Sequence, residues 1–289
     1  MKFLNNFFAG SAIGIANVIP GLSGGSIAVI LNKYERLIGI ISNFLPNIKN
    51  KNKQALKDDI LFAIPLILGL VVGILLFSIV LKYLLENYQI ITLFAFIGLI
   101  AGTIPMMIKT ANKNGKPTKL QFIPFILTLA FALVLAYLKI SNIANTTQMV
   151  IASLDFQTVL ILLVFGFLAA GAMIIPGISG SLVLMLLGGY TAILNAISGL
   201  MSADFLSNFL TLIPFGIGCL VGLFFFSIII NFCLKKSYTA TYYGILGFVI
   251  GSIPCLYGGF EFNIQGVIAV VMLILCAAFS YILTIKTSK

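Results

Sequence analysis

Two short breaks inside long apolar runs constrain this chain more than any other feature. Pro20-Gly-Leu-Ser-Gly-Gly-Ser26 forms one, and Pro176-Gly-Ile-Ser-Gly-Ser181 repeats it 156 positions later. A helix interrupted at membrane depth leaves backbone amides and carbonyls without partners. That is tolerated only where the backbone is buried in protein or lines a cavity. Two such interruptions at matching places in two halves of a chain point to a transporter binding site.

Composition fixes the solvent. Of 289 residues, 61% are hydrophobic and 8% charged, and the mean hydropathy is +1.17. These values describe a polytopic membrane protein. The stretch from Met1 to Pro20 is interrupted by Asn17 and lacks a small-residue cleavage pattern, so it reads as structure and not as a leader. Cys219, Cys233, Cys255 and Cys276 form no C-x-x-C pair and read as small buried hydrophobes. Histidine is absent and the seven acidic residues form no metal-like cluster, which excludes a histidine-based triad, a zinc site and a histidine-type lipid phosphatase. The net charge of +10 comes mostly from loop lysines. In a membrane protein that speaks of orientation before nucleic acid, and no nucleic-acid partner is expected.

The duplication extends past the breaks. Pro65, Gly69, Gly73, Phe77, Ser78, Gly98, Gly102, Thr103 and Pro105 match Pro214, Gly218, Gly222, Phe226, Ser227, Gly247, Gly251, Ser252 and Pro254, all at an offset of 149. Tyr34 matches Tyr190 at the offset of the breaks. The fold class expected is an all-α polytopic membrane protein of two inverted-topology repeats. Each repeat is a broken helical hairpin followed by three spans. Residues 1–139 form the first repeat, with hairpin arms over 3–19 and 24–44 and spans over 59–82, 90–108 and 121–138. Residues 140–156 form an extracytoplasmic connector. Residues 157–289 form the second repeat, with arms over 157–175 and 180–200 and spans over 208–233, 240–256 and 265–285.

An odd number of crossings per half makes the second enter from the opposite side. Lysines test this independently. Lys49, Lys51, Lys53 and Lys57, then Lys109, Lys113, Lys116 and Lys119, then Lys235 and Lys236, and finally Lys286 and Lys289 fall on one side. The alternate loops carry Lys82 with Glu86, Lys139 with Asp155, then Asp204 and Glu261. The lysine-rich side is expected to be cytoplasmic, with both termini on it.

The breaks carry the expected chemistry. Gly21, Gly24 and Gly25, with Gly177 and Gly180, let the backbone come close to a ligand and expose N–H groups at the start of each second arm. Ser23, Ser26, Ser179 and Ser181 add hydroxyl donors. Such clusters favour anions, phosphate above all, although the C-terminal end of each first arm partly cancels the field. Arg36 is the only arginine. It follows Glu35 and lies ten residues past Ser26, on the order of 15 Å along a helix. It reads either as an interfacial snorkelling side chain or as a planar phosphate clamp. The second half has Thr191 and Ala192 at the matching positions. Gly21-Leu-Ser23-Gly-Gly25 also satisfies G-x-S-x-G, but that elbow belongs to a strand-turn-helix and needs a base. No enzyme is expected.

The stretches Asn17-Val-Ile-Pro-Gly-Leu-Ser-Gly-Gly-Ser26, Tyr34-Glu35-Arg36-Leu37-Ile38, Ile175-Pro-Gly-Ile-Ser-Gly-Ser181 and Leu187-Gly-Gly-Tyr190 resemble a bacterial family of polyprenyl-phosphate transporters, once a domain of unknown function. The resemblance covers nearly the whole chain. It implies a plasma-membrane flippase that returns undecaprenyl phosphate to the cytoplasmic leaflet for cell-wall precursor synthesis, with a polyprenyl-phosphate lipid as partner. Glu35, Tyr34, Tyr190 and Asn17 are the coupling or gating candidates. No cofactor is implied. The coupling ion, proton or sodium, stays open, as does the oligomeric state, a homodimer included. The alternative reading is a carrier of a small soluble anion on the same scaffold.

Overall fold

The computed structural model describes residues 2–22, 24–33, 36–37, 40, 53–113, 115, 117–140, 154–173, 179–260 and 262–287. Among these every regular element is helical. The helices are α1 (Lys2–Val18), α2 (Gly24–Ile30), α3 (Lys53–Asn87), α4 (Gln89–Ala111), α5 (Lys119–Ile140), α6 (Phe156–Met173), α7 (Gly180–Leu186), α8 (Tyr190–Gly199), α9 (Phe205–Lys236), α10 (Tyr238–Ser252) and α11 (Ile264–Thr287), with a 3₁₀ turn over Ile253–Leu256. Six of the described helical stretches are long and apolar enough to cross a membrane. Large apolar side chains such as Leu61, Ile67, Leu127, Leu220, Phe224 and Ile274 face outward, as a lipid-exposed belt requires.

Four helix pairs build the bundle: α1 with α3, α6 with α9, α4 with α11 and α5 with α10. Each pair meets at glycines. The Phe7 and Ser11 carbonyls occupy the space a side chain at Gly69 or Gly73 would need, and the Leu163 and Phe167 carbonyls do so at Gly218 and Gly222. The Leu273 and Ala277 carbonyls press on Gly98 and Gly102, and the Phe125 and Leu129 carbonyls press on Gly247 and Gly251. Close backbone approach replaces a hydrophobic driving force that lipid cannot supply. In each pair the residue numbers rise together, so the partners run parallel.

The first two pairs lie within one half of the chain each. The other two cross between halves. Helices α4 and α10, which match in the duplication, also pack on each other. The Tyr243 hydroxyl near the start of α10 donates to Asn112 Oδ1 at the end of α4, 3.0 Å away. At the other end the Tyr257 ring lies 6.2 Å from Phe94. Helices α4 and α10 are therefore antiparallel. Side-chain bonds repeat as well: Thr103 Oγ1 to the Ile100 carbonyl matches Ser252 Oγ to Val249, and Ser78 Oγ to Leu75 matches Ser227 Oγ to Phe224.

Each hairpin doubles back on itself. Lys33 Nζ reaches Asn6 Oδ1 at 2.8 Å, and Phe165 fills the space beside Gly189. The return arms differ from the unbroken runs expected over 24–44 and 180–200. Helix α2 stops at Ile30 and α7 at Leu186, and the next turns carry Asn32 at φ 54° and Gly188 at φ 78°. These positions are 156 apart, so both arms break at the same place. A left-handed residue ends an α-helix, and seven residues span only about 10 Å. Neither seven-residue helix spans a bilayer by itself. Helix α6 is fixed at its start by Asp155, whose carboxylate accepts the Thr158 N–H at 2.9 Å. The Thr158 side chain and N–H hold that carboxyl below the usual carboxylate range.

Candidate functional site

The first tip lies deep in the bundle. Gly21 takes φ 89°, with Ile100 Cγ1 2.6 Å from where a Cβ would sit. Ile100 is eleven residues from both ends of α4, on the order of 16 Å from either. Pro20 is fully buried and closes α1 without offering a donor. Gly24 begins α2 directly over the Asn17 side chain, which fills the space a Cβ would need. Gly25 is exposed beside it, and Ser26 lies in the same turn. Ser23 lies outside the described residues.

The second tip is tighter. Gly177 lies outside the described residues, whereas Ser179, Gly180 and Ser181 open α7, all buried. Ser179 and Ser181 are 4% and 7% exposed, and their hydroxyls bond each other. They are thus partnered with each other in this conformation. Gly180 packs on the Ala169 carbonyl and on Met173, and Met173 stands where the first half has Asn17. The first tip is the more polar of the two.

The two hairpins touch. Helix α7 contacts α1, and the buried Tyr190 hydroxyl donates to the Val18 carbonyl at 3.0 Å. That carbonyl ends α1, where no intrahelical partner remains. The Phe96 ring stands edge-on to Tyr190 at 6.5 Å.

Beside Tyr190 opens a cavity of about 410 Å³. Its wall combines the end of α3, the start of α4, the second return arm and the residues after α10. Lys82, Glu86, Gln89, Thr191 and Asn195 supply polar groups, and Leu85, Leu93, Met185 and Leu194 supply apolar ones. Its volume falls within the range of small-molecule sites. Ser179, Ser181 and Arg36 are not part of this wall.

Arg36 is exposed. Its guanidinium lies 4.7 Å from the Phe62 ring centre and donates to the Asp58 carbonyl at 3.3 Å. Lys33 approaches the same ring at 5.7 Å. Two cations therefore share one aromatic face near the start of α3, at the end of the bundle opposite the cavity. Glu35 and Tyr34 lie outside the described residues. No cluster of histidine, cysteine or carboxylate side chains suited to a metal occurs among the described residues.

Sequence reasoning did not single out Lys82 or Lys33. Lys82 counted only as a loop charge. Its signal was local: an i, i+4 pair with Glu86 on a side otherwise poor in lysine. Lys33 had no periodic signal, because its partner Asn6 sits across the hairpin.

A polyprenyl-phosphate transporter of Staphylococcus aureus is 31% identical over 261 residues, 90% of this chain and 88% of that protein. One of Vibrio cholerae is 30% identical over 263 residues, 89% of this chain and 78% of that protein. No solved structure matches the chain. A family model described as undecaprenyl phosphate translocase-like matches residues 13–264. The chain, a multi-pass membrane protein, belongs to the undecaprenyl phosphate translocase-like family.

Proposed function

We propose that this protein carries polyprenyl phosphate across the bacterial plasma membrane, taking the phosphate headgroup from the outer leaflet to the cytoplasmic one. The isoprenoid tail stays in lipid while the headgroup passes between two inverted repeats. A bare phosphate in hydrocarbon is prohibitively costly, so the route must be lined by donors and charges.

The observation that carries the reading is the meeting of the two broken hairpins at the Tyr190–Val18 bond. They approach it from opposite ends. The first returns to Asn6 and Lys33 at the lysine-rich end, and the second rises through Tyr190 to Asn195 at the cavity end. Lys57, Lys109, Lys113, Lys119, Lys235 and Lys236 sit at the first end, which supports a cytoplasmic assignment for it and for both termini. The re-entrant reading draws support from the short α2 and α7.

In this mechanism Tyr190 and the buried tips separate a compartment at the cavity end from one at the Arg36 end. Donors at Gly21, Ser23, Gly24, Gly25 and Ser26, and at Gly177, Ser179, Gly180 and Ser181, receive the phosphate as the seal opens. Asn17 orients the first tip. Arg36, helped by Lys33, receives the headgroup at the inner surface. Glu35 and Tyr34 are assigned to coupling and gating beside it. Return of the lipid supplies carrier for the next round of cell-wall precursor synthesis.

Purified protein in liposomes, loaded with polyprenyl phosphate in the outer leaflet, tests this. Headgroup loss from the outer surface, faster than in protein-free vesicles, is the expected result. Transport of inorganic phosphate with no lipid movement would favour the soluble-anion carrier instead.

A further inference from the structure

The cavity at the α3–α4 turn holds one more residue with a specific task. Lys82 and Glu86 are the charged members of its wall. Their nitrogen and oxygen are 4.0 Å apart, with side chains 42% and 60% exposed. A pair this loose and this wet contributes little, so another anion displaces the carboxylate at small cost. The surrounding groups suit a particular one. Gln89, Asn195 and Thr191 offer neutral polar contacts on the same wall, whereas Leu85, Leu93, Met185, Leu194 and Leu256 form an apolar remainder. A lone phosphate would leave most of 410 Å³ empty.

Position narrows the occupant further. The exposed tyrosines Tyr83, Tyr88, Tyr137 and Tyr257 gather at this end of the bundle, and Tyr83 and Tyr88 meet edge-on at 6.2 Å. Tyrosines of this kind mark the level of lipid headgroups. The cavity therefore opens where a membrane lipid presents its polar end. The floor is Tyr190, whose hydroxyl is bound to the other hairpin.

We propose that this cavity is an external receiving site for a phosphate monoester on an apolar chain, with the Lys82 ammonium as its counter-charge and Glu86 as the group it displaces. The assignment rests on the transport reading above. Lysine acts here as a point charge on a flexible stem, which suits a headgroup that must be released again.

Binding to the purified wild-type protein in nanodiscs, and to Lys82→Met, Lys82→Arg and Glu86→Gln, tests it. The probes are farnesyl monophosphate, farnesol and inorganic phosphate. Farnesyl monophosphate should bind wild type at least tenfold more tightly than farnesol. Lys82→Met should weaken the monophosphate tenfold or more and leave farnesol unchanged. Lys82→Arg should stay within about threefold, and Glu86→Gln should bind equally or more tightly. Equal binding by wild type and Lys82→Met would overturn the site while leaving transport intact. Lysine-dependent binding of inorganic phosphate, matched by no preference for the prenylated probe, would overturn the lipid assignment and the transport reading with it. A wild type that moves polyprenyl phosphate in liposomes but binds neither phosphate probe would overturn the cavity alone.

Discussion

The hydroxyl of Tyr190 and the carbonyl of Val18 are 172 residues apart in sequence and 3.0 Å apart in space. One belongs to the second hairpin and the other ends the first arm of the first. Phenylalanine at 190 keeps the ring against Phe96 and removes only this bond. Buried polar contacts between membrane helices are worth about 0.6 kcal/mol. Tyr190→Phe should lower thermal stability slightly and raise the population of the opened seal about threefold, read as cysteine accessibility at the tips. Unaltered accessibility would mean that Tyr190 does not close the route.

The glycine contacts make a paired prediction. Leucine at Gly98 must displace the Leu273 carbonyl, and leucine at Gly247 must displace that of Phe125. Each should cost about 1–3 kcal/mol by overpacking, and the two costs should be similar because the sites are equivalent. A Cβ added at Gly216 would meet nothing within 4 Å, so Gly216→Ala should be neutral or stabilising by up to about 1 kcal/mol. Thermal unfolding in detergent separates the cases.

Gly21→Ala combines two effects. A left-handed φ costs a side-chain-bearing residue about 1–2 kcal/mol, and the new methyl meets Ile100. Measured against Ile100→Ala alone, which removes the Cγ1 atom, the double variant should show the conformational cost without the side-chain clash. A double variant as stable as Ile100→Ala would show that the conformation at Gly21 is unstrained.

Arg36→Ala should leave stability nearly intact, because an exposed cation–π contact contributes about 0.5–1 kcal/mol. Transport should fall roughly tenfold or more, the effect of losing a charged hydrogen bond of about 1.5–3 kcal/mol. In cells the carrier lipid should accumulate in the outer leaflet. Unchanged surface labelling of that lipid would remove Arg36 from the mechanism.

Much of the fold was legible in the residues. The 149 offset marked Gly98/Gly102 and Gly247/Gly251 as packing faces, and they are. Their partners were not legible, because small-residue spacing identifies a face and says nothing about which helix covers it. The hairpin tips were visible from Pro20 and Pro176. The second break in each return arm was missed although its residues were in view: Asn32-Lys33 opens a polar stretch and Gly188-Gly189 is a glycine pair, and both admit the left-handed residue that ends a helix. The cavity was least visible of all. Lys82 and Tyr190 come from different halves, and only tertiary packing brings them to one wall.

The exchange of helices between halves bears on how the molecule can move. Helix α4 is covered by α11 and α5 by α10, like two hands with fingers interlaced. Neither half can peel away as a rigid body without baring a glycine face. By the same logic, either half taken alone would leave a glycine face bare, that of α4 or that of α10.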